Sequence, residues 1–457
     1  MKKRGLIIHI DCNNFYVSCH TVLNLGIRNR PVVVLSSNDG NVIARSPLAK
    51  KLGIKMGQAW HEVRPMVKTQ GLAVFSLQVQ LYGAMSTRVM NVIRRFVDAI
   101  ELYSIDEVFG RIDDPDKAVE TAQLLKQTIQ QWLHIPVSIG ISLTKTLAKI
   151  ATRIAKNNAE YGGIYRLTDP EKIAQVLKET KVEDLWGIGS QSAKLLHRHG
   201  IRTADGLLPV SEMWIRKHLT INGLRLVHEL KGEIRKDIQE GFTSKKSIAV
   251  SPAFGHPMTD MHPMAQALEI HVARAGEKLR RQNSAARLLT VFVGTNPFQD
   301  KKLQYSASQT IGLPFAFNSN VDLYRYAYAL LERLYVPGYY YHRVGIMLSG
   351  LVPDHSQQLL LASVMTDGTQ TPTLVEAAPP SPKLSQLHKV IDQINIRYGR
   401  DTVRFATMEP GWKKKRPKHL KKRVILEIPL RKPSWESKHQ YNSLNSLTDW
   451  DELLEAG

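Results

Sequence analysis

The stretch Ala99-Ile100-Glu101-Leu102-Tyr103-Ser104-Ile105-Asp106-Glu107-Val108-Phe109-Gly110-Arg111-Ile112 reads as two short strands, Ala99 to Ile105 and Val108 to Ile112, with an acidic dipeptide at their connection. Neighbouring strand residues point to opposite faces, so Asp106 and Glu107 can serve one site only where the chain turns, as at a hairpin end. A third carboxylate stands at a similar place. The apolar run Gly5 to Ile10, a candidate buried strand, ends in Asp11. If the strands are adjacent, three carboxylates meet, and unpaired they would repel one another with raised pKa values. Divalent metal relieves that, since Mg²⁺ prefers a few carboxylates plus substrate phosphate oxygens. Two such ions can activate an attacking hydroxyl and stabilise a leaving pyrophosphate. An acidic dipeptide in a turn is by itself ordinary solvated chemistry. The flanking apolar strands and Asp11 argue for more.

Around this stretch strands and helices alternate. Pro31 to Ser36 and Asn41 to Arg45 flank Asn38-Asp39-Gly40, a hairpin signal because Asp-Gly tolerates positive φ. Tyr82 to Phe96 and Ala118 to Leu133 read as helices, Val137 to Ser142 as a strand, and Thr144 to Asn157 as a further helix. On that last helix Lys145, Lys149, Arg153 and Lys156 fall within one stripe. A cationic stripe is usually a solvated face. Beside a carboxylate cluster it suits a triphosphate. Phe15-Tyr16, close after Asp11, are core residues on their own and could pack on a sugar near a nucleotide site.

Lys181 to Pro209 changes character, with Leu185-Trp186-Gly187-Ile188-Gly189 ahead of a helix starting near Ser190. This is either a helix-hairpin-helix, whose glycine turn brings backbone N–H groups to a phosphate, or a plain helix–turn–helix connection. Gly241 to Lys246 reads as a linker. Strand (Ser247–Ala253), helix (Met264–Arg281), strand (Arg287–Thr295), strand (Gln304–Gly312), helix (Val321–Tyr335) and strand (His342–Ser349) then give a split-βαβ order. Clear periodicity fades after Ser349, and the Thr-, Ala- and Pro-rich span Thr366 to Pro382 suits a linker. Lys413 to Arg423 holds eight Lys or Arg in eleven residues, by default a solvated charge run.

The composition agrees with several modules. At 457 residues the chain exceeds one ordinary core, and its 43% apolar content is that of a globular protein. Sixty-two Lys and Arg against 41 Asp and Glu leave a net charge of +21, which predicts a polyanionic partner. No apolar run approaches the roughly 20 residues of a spanning helix. The basic start Met1-Lys2-Lys3-Arg4 is followed by too short an apolar stretch for a signal sequence. Two cysteines, Cys12 and Cys19, make no metal knuckle or disulfide framework, and a reducing cytoplasm fits them.

Taken in order, these segments resemble the Y-family DNA polymerases. The likeness is carried by Asn14 to Cys19, Asn38-Asp39-Gly40 with Val42 to Arg45, Leu52 to Gly57, Tyr103 to Glu107, Thr144 to Lys149, Trp186 to Gly189, and Ala273-Arg274-Ala275 with Glu277 to Arg280. It runs from residue 6 to about 350 and more weakly beyond. The resemblance implies an α+β multidomain fold, a right-hand-like polymerase. Its palm would be 1–20 and 76–168, its small fingers 21–75 and its helix-hairpin-helix thumb 169–241. A split-βαβ little finger (242–352) and a C-terminal linker and partner-binding region (353–457) would follow. It implies error-prone translesion synthesis, adding deoxynucleotides to a primer 3′-hydroxyl opposite damaged template with two Mg²⁺ ions. Asp11, Asp106 and Glu107 would hold the ions, with the carbonyl of Cys12 as a further ligand. Tyr16 matches the steric-gate position that clashes with a ribose 2′-hydroxyl, and Phe15, Lys50 and Lys156 would line the nucleotide. Gly187, Gly189, Arg274, Lys278 and Arg280 would meet DNA.

The resemblance also implies partners besides primer-template DNA and deoxynucleoside triphosphates. These are a processed UmuD-type dimer, a recombinase filament and, weakly, the sliding clamp. The departures bear on them. Pro47 stands where many members carry a tyrosine, and Lys50 replaces an arginine, losing bidentate geometry. The candidate clamp peptide Gln358-Leu359-Leu360-Leu361 runs into Ala362 and lacks the aromatic anchor. A non-catalytic DNA-binding scaffold would share the charge and the glycine turn, and a nucleotide cyclase would share the paired carboxylates. The first gives no reason for three placed carboxylates, and the second none for the later modules.

Overall fold

Strand alternation along Leu6–Cys12 decides where the site is built. The computed structural model describes residues 5–241, 244–299, 302–354, 381–399 and 402–403. They fall into two units that divide at residue 242 and are taken separately. In the first, β1 (Leu6–Cys12) leads through Asn14 (φ +48°) into α1 (Phe15–Leu23). Then β2 (Val32–Leu35), β3 (Val42–Arg45), α2 (Pro47–Lys51), α3 (Trp60–Val63), α4 (Met66–Thr69) and β4 (Ala73–Phe75) build a small layer. Its sheet has the order β3-β2-β4. The hairpin expected there is present as β2 and β3. Its positive-φ residues are Asn38 and Asp39, not Gly40, because the link winds through a 3₁₀ turn.

Next come α5 (Val79–Ile93), β5 (Ala99–Leu102), β6 (Glu107–Ile112), α6 (Ala118–Leu133), β7 (Val137–Ser142), α7 (Lys145–Asn157) and β8 (Ile164–Leu167). These close a five-stranded sheet of order β5-β6-β1-β7-β8. One face carries Ile8, Ile10 and Cys12 into a core with α1, α5 and α6. The other face, bearing Ile7, His9 and Asp11, receives α7. A Cβ on Gly140 of β7 would lie 2.2 Å from the Ala148 carbonyl and 2.3 Å from the Thr152 nitrogen, so only glycine admits the helix this closely. Thr144 caps α7, its side chain accepting from Leu147 N–H at 3.3 Å. The fully buried Glu229 carboxylate accepts from Thr146 N–H and Oγ, an anion at the positive helix end. That carboxylate ties α7 to α10 (Glu212–Leu230), which follows α8 (Pro170–Glu179) and α9 (Ser190–Arg198) at the end of the unit.

The second unit contains β9 (Ile248–Val250), β10 (Ala253–Met258), α11 (Met261–Arg281), β11 (Ser284–Thr295), β12 (Ser306–Phe317), α12 (Asn320–Leu334) and β13 (Tyr341–Pro353). Its sheet has the order β10-β13-β11-β12, with β9 also on β13, and α11 and α12 pack on one face around a separate core. The single first strand expected here is two, broken at Ser251-Pro252, because proline cannot donate to a ladder. A helix that the sequence reading did not place, α13 (Pro382–Tyr398), follows. The residues 358–362 and 413–423, and most of 366–382, lie outside the described residues. No described helix is long and apolar enough to cross a membrane.

Candidate active site

Asp11 and Glu107 are direct partners across β1 and β6, so their side chains leave the sheet on the same face, toward α7. Asp106 precedes β6 in the chain. Its carbonyl accepts from Cys12 N–H at 2.9 Å, which fixes the turn against the end of β1. Ser104 organises that turn, with its Oγ donating to Asp106 Oδ1 at 2.6 Å and accepting from Glu107 N–H at 3.1 Å.

The three carboxylates therefore reach one end of one sheet, and strand alternation then separates their side chains. Asp106 lines a cleft of about 340 Å³ with Cys12, Tyr16, Arg45 and Lys50. Asp11 and Glu107 line a neighbouring cleft of about 290 Å³ with His9, Lys149, Arg153 and Trp186. Lys156 borders both. Among the described residues, no three His, Cys, Asp or Glu side chains converge closely enough to hold a metal. The two strands are adjacent, as the expected meeting required, and the three carboxylates share this sheet end in clefts that both include Lys156. Asp11 pairs instead with Lys156, and Glu107 with Lys149 at 3.0 Å.

The donor chemistry still suits a divalent cation. The side-chain donors are all carboxylate oxygens. Burial raises the Asp11 carboxyl above its ordinary value against the pull of Lys156, and Glu107 and Asp106 push the same way. A cation between them would relieve that repulsion. Cys12 is no thiolate ligand, because burial, then Asp11 and Asp106, push its thiol far up. Its backbone carbonyl is what it could offer.

The basic stripe on α7 is divided by its partners. Lys145 is buried and bonded to Glu101 and to the Asp237 carbonyl, each at 2.6 Å, so it braces the chain rather than facing a ligand. Arg153 meets Asp184 at 2.5 Å, and both line the second cleft. Lys149 and Lys156 remain beside the carboxylates. In the first cleft Lys50 joins Lys156, and its pKa is lowered by burial, then by Lys156 and Arg45. Arg45, which donates to the Ile54 carbonyl, is a cleft cation that the residue-level reading passed over. Its place in a short strand after a turn gave no helical stripe to notice.

Tyr16 lies half-buried at the mouth of this cleft, its ring stacked on Tyr82 at 4.2 Å and 18°. Phe15 borders the cleft and is 3% exposed, its ring sunk in the core. Gly187 (φ +96°) and Gly189 stand ahead of α9, and a Cβ on either would meet nothing within 4 Å, which leaves the turn open to approach. In the second unit Lys278 is exposed and Arg274 half-buried. Arg280, expected at DNA, is instead 6% exposed and bonded to Asp392 at 2.6 and 2.9 Å, to the Asn318 carbonyl and to Asn320. Its guanidinium is used up inside the unit.

Comparison with known proteins gives this geometry a context. Residues 10–153 match the impB/mucB/samB family, 245–361 its C-terminal domain, and 385–420 a domain of unknown function. The chain is 35% identical over 413 residues to Protein ImpB of Salmonella typhimurium, covering 89% of this chain and 94% of that protein. It is 34% identical to Protein UmuC of Salmonella typhimurium strain LT2, with the same coverage of both. DNA polymerase IV of Staphylococcus aureus strain JH9 is 24% identical, over 78% of this chain and 98% of that protein. Among solved structures, the Y-family DNA polymerase chimera Dbh-Dpo4(243-245)-Dbh superposes with a TM-score of 0.63 at 23% identity, over 76% of this chain and 99% of that one. The insertion ternary complex of Dbh DNA polymerase gives 0.53 at 23%, with the same coverage. The α+β right-hand fold expected from the sequence is the fold these structures share.

Proposed function

The chain belongs to the impB/mucB/samB family of Y-family translesion DNA polymerases, and from that premise we propose that Asp11, Asp106 and Glu107 are its catalytic carboxylates. One observation carries the reading. Asp11 stands directly opposite Glu107 at a sheet end, and Asp106 adjoins them beside a cleft holding Tyr16, Arg45, Lys50 and Lys156. The three carboxylates and the Cys12 carbonyl would hold two Mg²⁺ ions. When bound, these supply activation of the primer 3′-hydroxyl and charge neutralisation on the leaving pyrophosphate.

The chain's own residues prepare the rest. Lys50, Lys156 and Arg45 give the first cleft the positive field a triphosphate needs. Lys149 and Lys156 neutralise Glu107 and Asp11, which lessens the repulsion at the sheet end. Proline at position 47 offers no hydroxyl to the triphosphate, so these cations carry more of its binding. Tyr16 bars the ribose 2′-hydroxyl, with Phe15 holding its helix in the core. Gly187 and Gly189 would present backbone N–H groups to a DNA phosphate, and Arg274 and Lys278 would meet DNA from the second unit. We assign palm, fingers and thumb to the first unit and the little finger to the second, with the boundaries given above. A processed UmuD-type dimer, a recombinase filament and, more weakly, the sliding clamp are the proposed protein partners, in the cytoplasm.

The test is primer extension on intact and abasic templates with Mg²⁺, with and without the accessory dimer and activated filament. Asp106→Ala should abolish synthesis while leaving DNA affinity within about twofold. Equal loss of both would remove Asp106 from the chemistry. DNA binding with no extension under any condition would favour a scaffold.

A further inference from the structure

Trp186 stands one residue before Gly187, on the turn that leads into α9. Its ring turns back onto the sheet. The indole Nε1 donates to the Tyr103 hydroxyl at 2.8 Å, and the ring lies 5.4 Å from both Tyr103, edge-on at 89°, and Phe109. Tyr103 opens the turn that carries the acidic pair. Its N–H and that of Ser104 both donate to the Glu107 carbonyl, at 3.2 and 3.1 Å. The same two rings border Lys149, whose Nζ is 4.5 Å from the Tyr103 centroid and 5.5 Å from that of Trp186 while it bonds Glu107. Lys236 covers the indole at 4.0 Å.

We infer that Trp186 is a positioning residue for nucleotide addition. It locks the Tyr103–Glu107 turn and Lys149 to the glycine turn at Gly187, so that seating a DNA phosphate on that turn fixes the carboxylates. The inference rests on the carboxylate assignment above. A residue serving packing alone would not need the indole N–H, which donates to the hydroxyl that heads the acidic turn. The two cation–π contacts add attraction on the side where Lys149 must stay. The ring is thus tied by its polar atom and by its face to the two groups that bracket Glu107.

The test is single-turnover primer extension with Trp186→Phe, Tyr103→Phe and the double variant, beside Asp106→Asn. Each single change deletes the same hydrogen bond and should slow nucleotide addition by about fivefold. The nucleotide concentration for half-maximal rate and the DNA Kd should stay within about twofold. The double variant should be no slower than Trp186→Phe, because the bond is already gone. A wild-type rate in either single variant, multiplied losses in the double, or a loss confined to the DNA Kd would overturn the inference. Asp106→Asn separates the two levels. If it keeps its rate, the carboxylate assignment fails. If it is inactive while Trp186→Phe is unaffected, only the role of Trp186 fails.

Discussion

The Tyr16 ring belongs to a continuous stack. It lies on Tyr82, whose hydroxyl meets His20 Nε2 at 2.8 Å, and His20 stacks on Phe75 at 4.1 Å. Tyr82 is 1% exposed, so the layer beneath Tyr16 cannot yield. A ribose 2′-hydroxyl pressing on this ring would meet a backed wall. Tyr16→Ala removes the wall and should lower the kcat/KM preference for deoxy- over ribonucleotides by at least about tenfold, with deoxynucleotide addition less affected. Unchanged sugar selectivity would remove Tyr16 as the gate. The places of Asp11 and Asp106 at strand ends were legible from the apolar runs beside them, whereas the proposed gate role of Tyr16 came from the family resemblance alone. Arg280 misled for a physical reason. Arginine on a basic helix reads as a surface cation until its partner is seen, and Asp392 lies 112 positions away.

Among elements, α7 was readable because Thr144 caps it and its apolar residues keep one side, buried from Leu147 to Ala155. What spacing could not give was the division of its basic stripe, since that depends on which carboxylate each cation finds. The helix α13 was missed because its apolar residues do not share one face. Leu384, His388 and Ile391 turn inward, while Leu387, Val390, Ile396 and Tyr398 are at or above half exposure. It is held through Arg280, whose side chain is 3% exposed, against an Asp392 side chain at 17%. Removing one member of such a pair leaves the other charge uncompensated, at a cost of about 2–4 kcal/mol for a pair this sheltered. Arg280→Met should therefore loosen α13 and speed amide exchange across 382–398, and Arg280→Met with Asp392→Leu should recover much of the protection. Unaltered exchange in Arg280→Met would show that apolar contacts alone hold the helix.

On the scale of the molecule, both units fold around uncharged histidines. Burial, then Lys149 and Lys156, lowers His9 to about 3, and burial lowers His20 to about 4. In the second unit burial, then Arg274, lowers His271 to about 3, and burial moves His342 and His388 the same way. In the unfolded chain each takes a proton near 6.5. Below that pH the unfolded state binds more protons than the native one. The stability these groups contribute is thus complete above 6.5 and falls as pH drops toward their folded values. His9, His20 and His271 each cost about 1.4 kcal/mol per pH unit in that window, or about 2 kcal/mol by pH 5. Asp11 acts in the opposite sense. Its raised carboxyl is protonated first in the native state, which offsets part of the loss at more acid pH. Urea midpoints should therefore fall between pH 7.5 and 5.0 for both units. His271→Gln should flatten the second unit's dependence by one proton, whatever it does to absolute stability, because the slope counts only the proton difference. An unaltered slope in that variant would mean that His271 titrates near 6.5 in the folded protein, and that its place beneath β13 is open to water.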